Sequence, residues 1–470
     1  MARGVLVHRS KDTIFTTLLF VCLVSLLCLF SLQSSVLNGH EENLGNKGKS
    51  LSWTYGDDVY VNHHPDTLST QTRNNDRVNT VIPRPTAKRE YCNESRNIVF
   101  VKTHKTASTT LASILQRFGY TRNLLFTLGK RGHVLSSTHL FNRKMIPSLP
   151  PNVKLFNKSL TGYNLLTNHV RYNRPEMDAV VQNAKYITII REPSAHFESC
   201  FGYFEMAKRL KLTNFSNPIE MFMKTPSRFL AKKFYMWQRA KNGQLYDLGL
   251  DHEHHDDFFT VKYKIKQLDS EFDLMLLSEY FDESLILLKK LMCWSFDDIL
   301  YISNGIRSHS HRYVINDQLR TRIRKWSSAD VMMYNHFNKT LWRKVKEYGE
   351  TFNADLAEFR QREHQAIQKC IDEQRTNKRD RREEKFVLKR NMTGSVFCEN
   401  LLRGDVQYTG LIRRFMQKQG LHPTSPPVKD NVPREKASRG TKSKKSLPKN
   451  QKVVNKTETK SKVNKVNKKS

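Results

Sequence analysis

The chain lacks a GxxxxGK[ST] run, a CxxC pair and any cysteine–histidine set at zinc-binding spacing. The first absence removes support for a P-loop nucleoside triphosphatase, whose glycines wrap the phosphates. The others leave structural zinc without ligands. No internal repeat is visible, and 470 residues are ample for a single large core with appendages. Acidic residues are also short, with 45 Asp and Glu against 79 Lys and Arg and a net charge of +34. That balance invites a nucleic-acid reading, but about a third of the excess lies after Lys429. There the composition is Lys, Ser, Asn, Thr and Pro with almost no apolar content, as in solvated, disordered tails. No nucleic-acid partner is expected. The remaining positive charge suits an anionic cofactor and substrate, or an anionic membrane surface.

Ile14 to Leu32 carries no charge, and only Thr16, Thr17, Ser25 and Ser31 interrupt its apolar character. That is about the 20 residues a bilayer-spanning helix needs. Arg3, His8, Arg9 and Lys11 precede it, and such an end tends to stay cytosolic. A cleaved signal peptide is the rival, but the run is long and no small-x-small site follows closely. The expectation is a cytosolic tail at 1–13, a transmembrane signal anchor at 14–32 and a lumenal remainder. Downstream N-x-Ser/Thr sequons at Asn93, Asn157, Asn214, Asn338, Asn391 and Asn455 agree with that topology. Cys22 and Cys28 fall in the anchor, which leaves Cys92, Cys200, Cys293, Cys370 and Cys398 beyond it. A lumenal domain permits disulfides, and the odd count leaves a thiol over. Cys200, on the apolar side of a helix, is expected to be buried and free. The pairing of the rest stays open.

Residues 33–90 are polar and irregular, with Pro65, Pro83 and Pro85, and read as a stem. A globular domain is expected at 91–400, a C-terminal segment at 401–428 and the basic tail at 429–470. Apolar runs leading into helices recur at Ile98–Val101, Tyr163–Thr167, Tyr186–Ile190 and Phe272–Leu277, the last before a helix at Glu283–Leu291. Such alternation predicts an α/β fold, a central parallel sheet flanked by helices. Asn217–Ala240 reads as one or two helices. Ser327 to Arg390 reads as long, charged helix with Trp326, Tyr334, Phe337 and Trp342 facing inward.

Two strand ends carry chemistry. After Ile98–Val101 come Lys102-Thr103-His104-Lys105-Thr106-Ala107-Ser108-Thr109-Thr110, then Leu111, Ile114, Leu115 and Phe118 at helical spacing. After Tyr186–Ile190 come Arg191-Glu192-Pro193 and a helix with Phe197, Phe201 and Phe204 on one face and Ser199 near its first turns. Helix N-termini present unpaired N–H groups and a positive dipole end, so both junctions are expected to take anions. They suggest two phosphate sites on one sheet edge. Asp251-His252-Glu253-His254-His255-Asp256-Asp257 holds metal-ligand types, but consecutive loop residues rarely converge on one ion, and no metal is predicted.

The first loop, Lys105 to Thr110, resembles the 5′-phosphosulfate loop of sulfotransferases that use 3′-phosphoadenosine 5′-phosphosulfate. Arg191 and Ser199 match the 3′-phosphate pair of that group. More narrowly, Phe100–Thr110, Arg191-Glu192-Pro193 with Phe197–Phe204, and Glu279–Leu285 are similar to the galactose-3-O-sulfotransferase family, over about Cys92 to Gly349. The basic C-terminal extension departs from that family. The resemblance implies a P-loop-like sulfotransferase fold and a Golgi type II membrane enzyme. Its reaction would place sulfate on the 3-hydroxyl of terminal β-galactose in a glycolipid or glycoprotein acceptor. It also implies that Lys105, Thr106, Ala107, Ser108, Thr109, Thr110, Arg191 and Ser199 hold the nucleotide. Arg307, Arg312 and Ser308–His311 lie where sulfotransferases often close a basic loop, although a solvated loop reads equally well.

Sulfuryl transfer puts negative charge on the bridging oxygen of the leaving bisphosphate, and a cation there acts most strongly in the transition state. Motif register gives that place to Lys105, with Lys102 as competitor. The acceptor hydroxyl needs a base, and histidine suits neutral pH. His169 follows an apolar run and is expected at the carboxyl end of a strand, where open α/β sheets bind ligands. Asn168–Tyr172 also resembles the related uronyl 2-O-sulfotransferases, in which a histidine here is the base. His104 is the second candidate. A uronyl 2-O-sulfotransferase acting on glycosaminoglycans and a membrane-anchored polyanion-binding protein are the alternative functions. The Phe197–Phe204 and Phe281–Leu285 strings favour the galactose group.

Overall fold

Ile98–Val101 is apolar, mostly β-branched and completely buried, as a central strand of a parallel sheet must be. This strand, β1, belongs to a computed structural model that describes residues 92–150, 162–231, 237–303, 307, 312–376 and 384–424, with the backbone of 154–155 and 158–159. The anchor at 14–32, the stem, Asn157, Asn455, Ser308–His311 and the tail from 429 lie outside the described residues. Among the described residues, no helix is long and apolar enough to cross a membrane.

Leu165–Leu166 (β2), Lys185–Ile190 (β3) and Leu274–Leu277 (β4) complete a four-stranded sheet in the order β2-β1-β3-β4, parallel throughout. Ile98 sits opposite both Leu165 and Lys185, and Ile187 opposite Leu274. All the runs expected to be strands are strands, although the second pairs with β1 through Leu165 and Leu166 alone. The chain leaves β1 for one side of the sheet and returns on the other. The carboxyl ends of β1 and β3 therefore flank a topological switch point, where open α/β sheets make their ligand crevice.

The helices that position the site are α1 (Ser108–Thr121), α2 (Pro193–Tyr203), α3 (Gly243–Asp247), α4 (Phe258–Glu271), α5 (Phe281–Met292), α6 (Asp317–Trp326), α7 (Ser328–Tyr348), α8 (Phe352–Cys370) and α9 (Asp405–Lys418). Leu111, Ile114, Leu115 and Phe118 of α1 are buried at the spacing that made them a predicted helix face. Asn217–Ala240 breaks into Pro218–Lys224, Pro226–Leu230 and a turn at Trp237–Arg239. The break falls at Thr225, because a residue before proline is pushed out of helical conformation. Phe222 packs on Phe197 and Phe201 as core.

The reading of 327–390 as one helical stretch is corrected. Helix α7 ends at Gly349 (φ 96°), α8 ends at Cys370, and an antiparallel pair follows at Ile371–Thr376 and Glu384–Leu388. The Cys370–Cys398 disulfide closes over that pair, while Phe386 and Leu388 pack against the core. Tertiary contact thus overrides the charged, helix-like composition. Trp342 is 41% exposed rather than inward, with its ring edge against Tyr280. Cys92 pairs with Cys293, where α5 ends in a left-handed residue. Cys200 is buried and free, and burial pushes its thiol up to about 12. Beyond residue 400, Tyr408, Ile412, Met416 and Leu421 join the main core, and Gln116 of α1 donates to Thr409 at 3.3 Å.

Candidate active site

The loop after β1 is held by its own hydroxyls. Thr103 Oγ1 lies 2.7 Å from Thr106 Oγ1, Ser108 Oγ donates to the Thr103 carbonyl, and Ser278 Oγ at the end of β4 donates to Thr106 O at 2.7 Å. These contacts hold Lys105 and Ala107 in the left-handed region, at φ 59° and 61°. That conformation costs roughly 1–3 kcal/mol per non-glycine residue and persists only where the surroundings over-determine it. Among the described residues no side chain caps α1. A left-handed turn running into an uncapped helix start is a concavity of backbone N–H groups suited to an anion. Thr106, Ser108 and Thr110 are buried, Thr109 is half-buried and Ala107 exposed.

The two lysines of this loop differ sharply. Lys105 is half-buried, with its ammonium 3.9 Å above the ring of Tyr203. Lys102 is 4% exposed and its Nζ lies 2.6 Å from Asp405 Oδ2, at the first residue of α9.

His169 stands three residues beyond β2, with Nδ1 2.9 Å from the Lys102 carbonyl. A carbonyl can only accept, so Nδ1 carries the proton and Nε2 is left as the basic nitrogen. The ring stacks on His104 at 4.2 Å between centroids. Burial, the Lys102 ammonium and His104 together push the His169 pKa well below its ordinary value. His104 is lowered as well, by burial and then by Arg239, against the opposing pull of Asp247. One Asp247 oxygen accepts from the His104 backbone N–H at 2.8 Å and lies 2.9 Å from His104 Nδ1; the other meets Arg239 at 2.8 Å. Although burial raises the Asp247 carboxyl, Arg239 and His104 hold it down at about 2.

At the end of β3, Arg191 reaches back to the first loop, with Nη1 3.4 Å from Lys105 O. Its backbone N–H donates to Gln244 Oε1 at 2.7 Å, and Gln244 Nε2 donates to its carbonyl at 2.9 Å. Ser199 is buried on α2. The expectation that the start of α2 takes an anion is corrected, because the chain's own Glu192 occupies it. That carboxylate accepts from Ser194 N at 2.9 Å, Ala195 N at 3.0 Å and the Ser194 hydroxyl, and pairs with Arg324. Pro193 supplies no N–H. Arg307 lies against α2, ion-paired with Glu198, and a Cβ at Gly202 would collide with its guanidinium.

The structure thus brings Lys105, His169 and Arg191 to one edge of the sheet. The 251–257 residues are engaged separately. Asp251 pairs with Arg171, His252 stacks on Tyr246, His255 contacts Leu250 O, Asp256 pairs with Lys241 and Asp257 caps α4. Among the described residues, no group of three or more metal-ligating side chains converges. Of the sequon asparagines, Asn93, Asn214 and Asn391 are exposed, while Asn338 is half-buried in the middle of α7. Sequence reasoning missed Tyr203, Asp247, Gln244 and Asp405. None of them carries a local signal, since each matters through a partner distant in the chain.

Comparison with known proteins bears on what this edge does. Residues 58–412 match the family described as galactose-3-O-sulfotransferase, a longer stretch than the motifs alone delimit. Galactosylceramide sulfotransferase of Mus musculus is 35% identical over 285 residues, which is 60% of this chain and 65% of that relative. Galactose-3-O-sulfotransferase 3 of Homo sapiens is 30% identical over 367 residues, covering 72% of this chain and 82% of the relative. Galactose-3-O-sulfotransferase 2 of Sus scrofa is 31% identical over 285 residues, 59% of this chain and 69% of the relative.

Proposed function

The chain belongs to the galactose-3-O-sulfotransferase family, and from that premise we propose that it moves sulfate from 3′-phosphoadenosine 5′-phosphosulfate to the 3-hydroxyl of a terminal β-galactose. The observation that carries this reading is the meeting of Lys105, His169 and Arg191 across the switch point. The uncapped, left-handed loop before α1 fits the 5′-phosphosulfate, with Lys105, the Thr106–Thr109 backbone and the Thr110 hydroxyl as donors. Arg191 and Ser199 take the 3′-phosphate. His169 removes the galactose proton at Nε2 as the new oxygen–sulfur bond forms. Lys105 stabilises the charge left on the bridging oxygen when its bond to sulfur breaks. Adenosine 3′,5′-bisphosphate is the second product, and no metal enters the scheme.

The acceptor is a galactose-terminated glycolipid, of the galactosylceramide type, or a glycoprotein. We place the enzyme in the Golgi membrane as a single-pass type II protein, anchored at 14–32 with a stem at 33–90 and a lumenal catalytic domain. The disulfides and the exposed Asn93, Asn214 and Asn391 support a lumenal domain. The deciding assay offers labelled sulfate donor with galactosylceramide, lactosylceramide, N-acetyllactosamine, chondroitin and heparan. Label at galactose O3 is expected. Label on chondroitin or heparan alone would make it a uronyl 2-O-sulfotransferase. No label at all, with polyanion binding lost on truncation after Lys429, would make it a binding protein.

A further inference from the structure

Helix α3, Gly243-Gln244-Leu245-Tyr246-Asp247, reaches both halves of the candidate site, yet the scheme above gives it no part. Gln244 is completely buried, and its amide is used in both directions on the Arg191 backbone. Three residues later Asp247, also buried, clamps the His104 backbone and ring with one oxygen and holds Arg239 with the other. The helix is itself fixed from α7. Asp330 accepts from the N–H groups of Gln244 at 3.2 Å and Leu245 at 2.9 Å, and its own N–H donates to Asn242 at 3.0 Å. On its far side, Tyr246 O accepts from Arg171 at 2.7 Å, with that guanidinium 3.7 Å from the Tyr246 ring. Besides Leu245 and Tyr246, which pack as core side chains do, this helix buries an amide and a carboxylate, groups that are costly to bury unless each finds partners.

We infer that α3 is the strut that sets the spacing between the nucleotide half and the transfer half of the site. Gln244 is a positioning residue for Arg191, and Asp247 a positioning residue for His104 and, through the stacked rings, His169. The inference rests on the sulfotransferase reading for its kinetic consequences. Gln244 fixes where the chain turns as it leaves β3, and so where the Arg191 guanidinium can reach. Asp247 fixes the residue directly before left-handed Lys105 and the ring on which His169 lies. The two contacts therefore act on different steps, nucleotide binding for Gln244 and transfer for Asp247.

The test uses the full chain with Gln244→Ala and Asp247→Asn. It measures affinity for adenosine 3′,5′-bisphosphate, kcat on a galactoside at saturation, and amide hydrogen exchange around His104 and Arg191. Gln244→Ala is expected to weaken bisphosphate binding about tenfold, keep kcat within about threefold and speed exchange at Arg191 only. Asp247→Asn is expected to keep binding within about threefold, lower kcat by about ten- to a hundredfold and speed exchange at His104 only. Equal losses in binding and kcat in either variant, or faster exchange at both segments in each, would show α3 to be ordinary core and overturn the strut. A wild-type chain that neither binds the bisphosphate nor sulfates a galactoside would remove the proposed function. The exchange pattern would then still decide the strut. If Asp247→Asn does not fold, the Arg239→Met/Asp247→Asn pair removes the uncompensated cation and carries the same test.

Discussion

The strand–loop–helix junctions after β1 and β3 read alike in sequence and are built differently. After β1 the backbone is forced left-handed at Lys105 and Ala107, and α1 starts without a side-chain cap. After β3, Glu192 caps its own helix and is neutralised by Arg324, so the α2 dipole already faces a carboxylate. A helix start is an anion site only when no acceptor of the chain itself arrives first. On the proposed function the first junction therefore spreads an anion over several backbone N–H groups and one cation, and the second depends on side chains, Arg191 above all.

The sharpest way to break this contrast is to remove the groups assigned to chemistry at the first junction. Lys105→Ala and His169→Ala should fold and retain nucleotide binding, because the backbone donors remain. Each should lower kcat by roughly 10²–10⁴-fold, the usual range for losing a general base, with the lysine at least as severe. Steady-state kinetics with a galactoside checks this; near-normal kcat in His169→Ala would transfer the base role to His104.

Lys102→Ala sharpens the comparison within the loop. Its ammonium is committed to Asp405, so its loss should appear as instability, not as lost chemistry. About 3 kcal/mol is expected, the low end for breaking a buried pair, since Asp405 keeps the favourable end of the α9 dipole. Urea unfolding measures it. A stable Lys102→Ala protein without turnover would move the catalytic cation three residues upstream.

At the second junction, Arg191→Ala should weaken nucleotide binding by about ten- to a hundredfold, and Ser199→Ala by less, since charge-assisted hydrogen bonds contribute roughly 1.5–3 kcal/mol. Titration with adenosine 3′,5′-bisphosphate decides it. Unchanged affinity in Arg191→Ala would show that this junction holds no phosphate.

Acid should affect both junctions, through His104 and His169 at the first and through His196 on α2 at the second. Burial, with its charged neighbours, lowers the pKa of His104 and His169, and burial and Arg191 bring His196 to about 3. The unfolded chain takes up these protons near pH 6.5 and the folded chain does not. Stability is therefore complete above 6.5 and falls as pH drops below it, by at most about 1.4 kcal/mol per unit for each histidine. For the same reason the acid limb of kcat/KM should lie below pH 6.5. A limb at or above 6.5 would contradict His169 as the base. The smallest effect is expected from Glu192→Ala, which removes a helix cap for about 0.5–2 kcal/mol of stability. If it also tightens bisphosphate binding, the α2 start had been closed only by its own carboxylate.

Strand positions and the first loop were legible because their signals are local. A buried β-branched run, a lysine among small hydroxyl residues and an apolar helical stripe all lie within a few neighbouring residues. The Glu192 cap was not, although its residue was in plain sight. Glutamate is not among the preferred capping residues, and nothing in the local sequence shows that its side chain turns back onto the helix start. The pair at 371–388 was missed because its composition is helical and charged, while its stability comes from Cys398 and the core contacts of Phe386 and Leu388.

By itself the sequence determined the alternating α/β pattern, the hydroxyl-rich loop between β1 and α1 and the residue types available for chemistry there. Each depends on hydrogen bonding and side-chain direction along one short segment. Only the tertiary structure decided which cysteines pair, which lysine is committed to an ion pair and what holds the histidines. Lys102 is withdrawn by Asp405, 303 residues away, and His104 is oriented by Asp247, 143 residues away. Contacts across such separations follow from how the sheet is ordered and which helices cover it, and no local pattern encodes them.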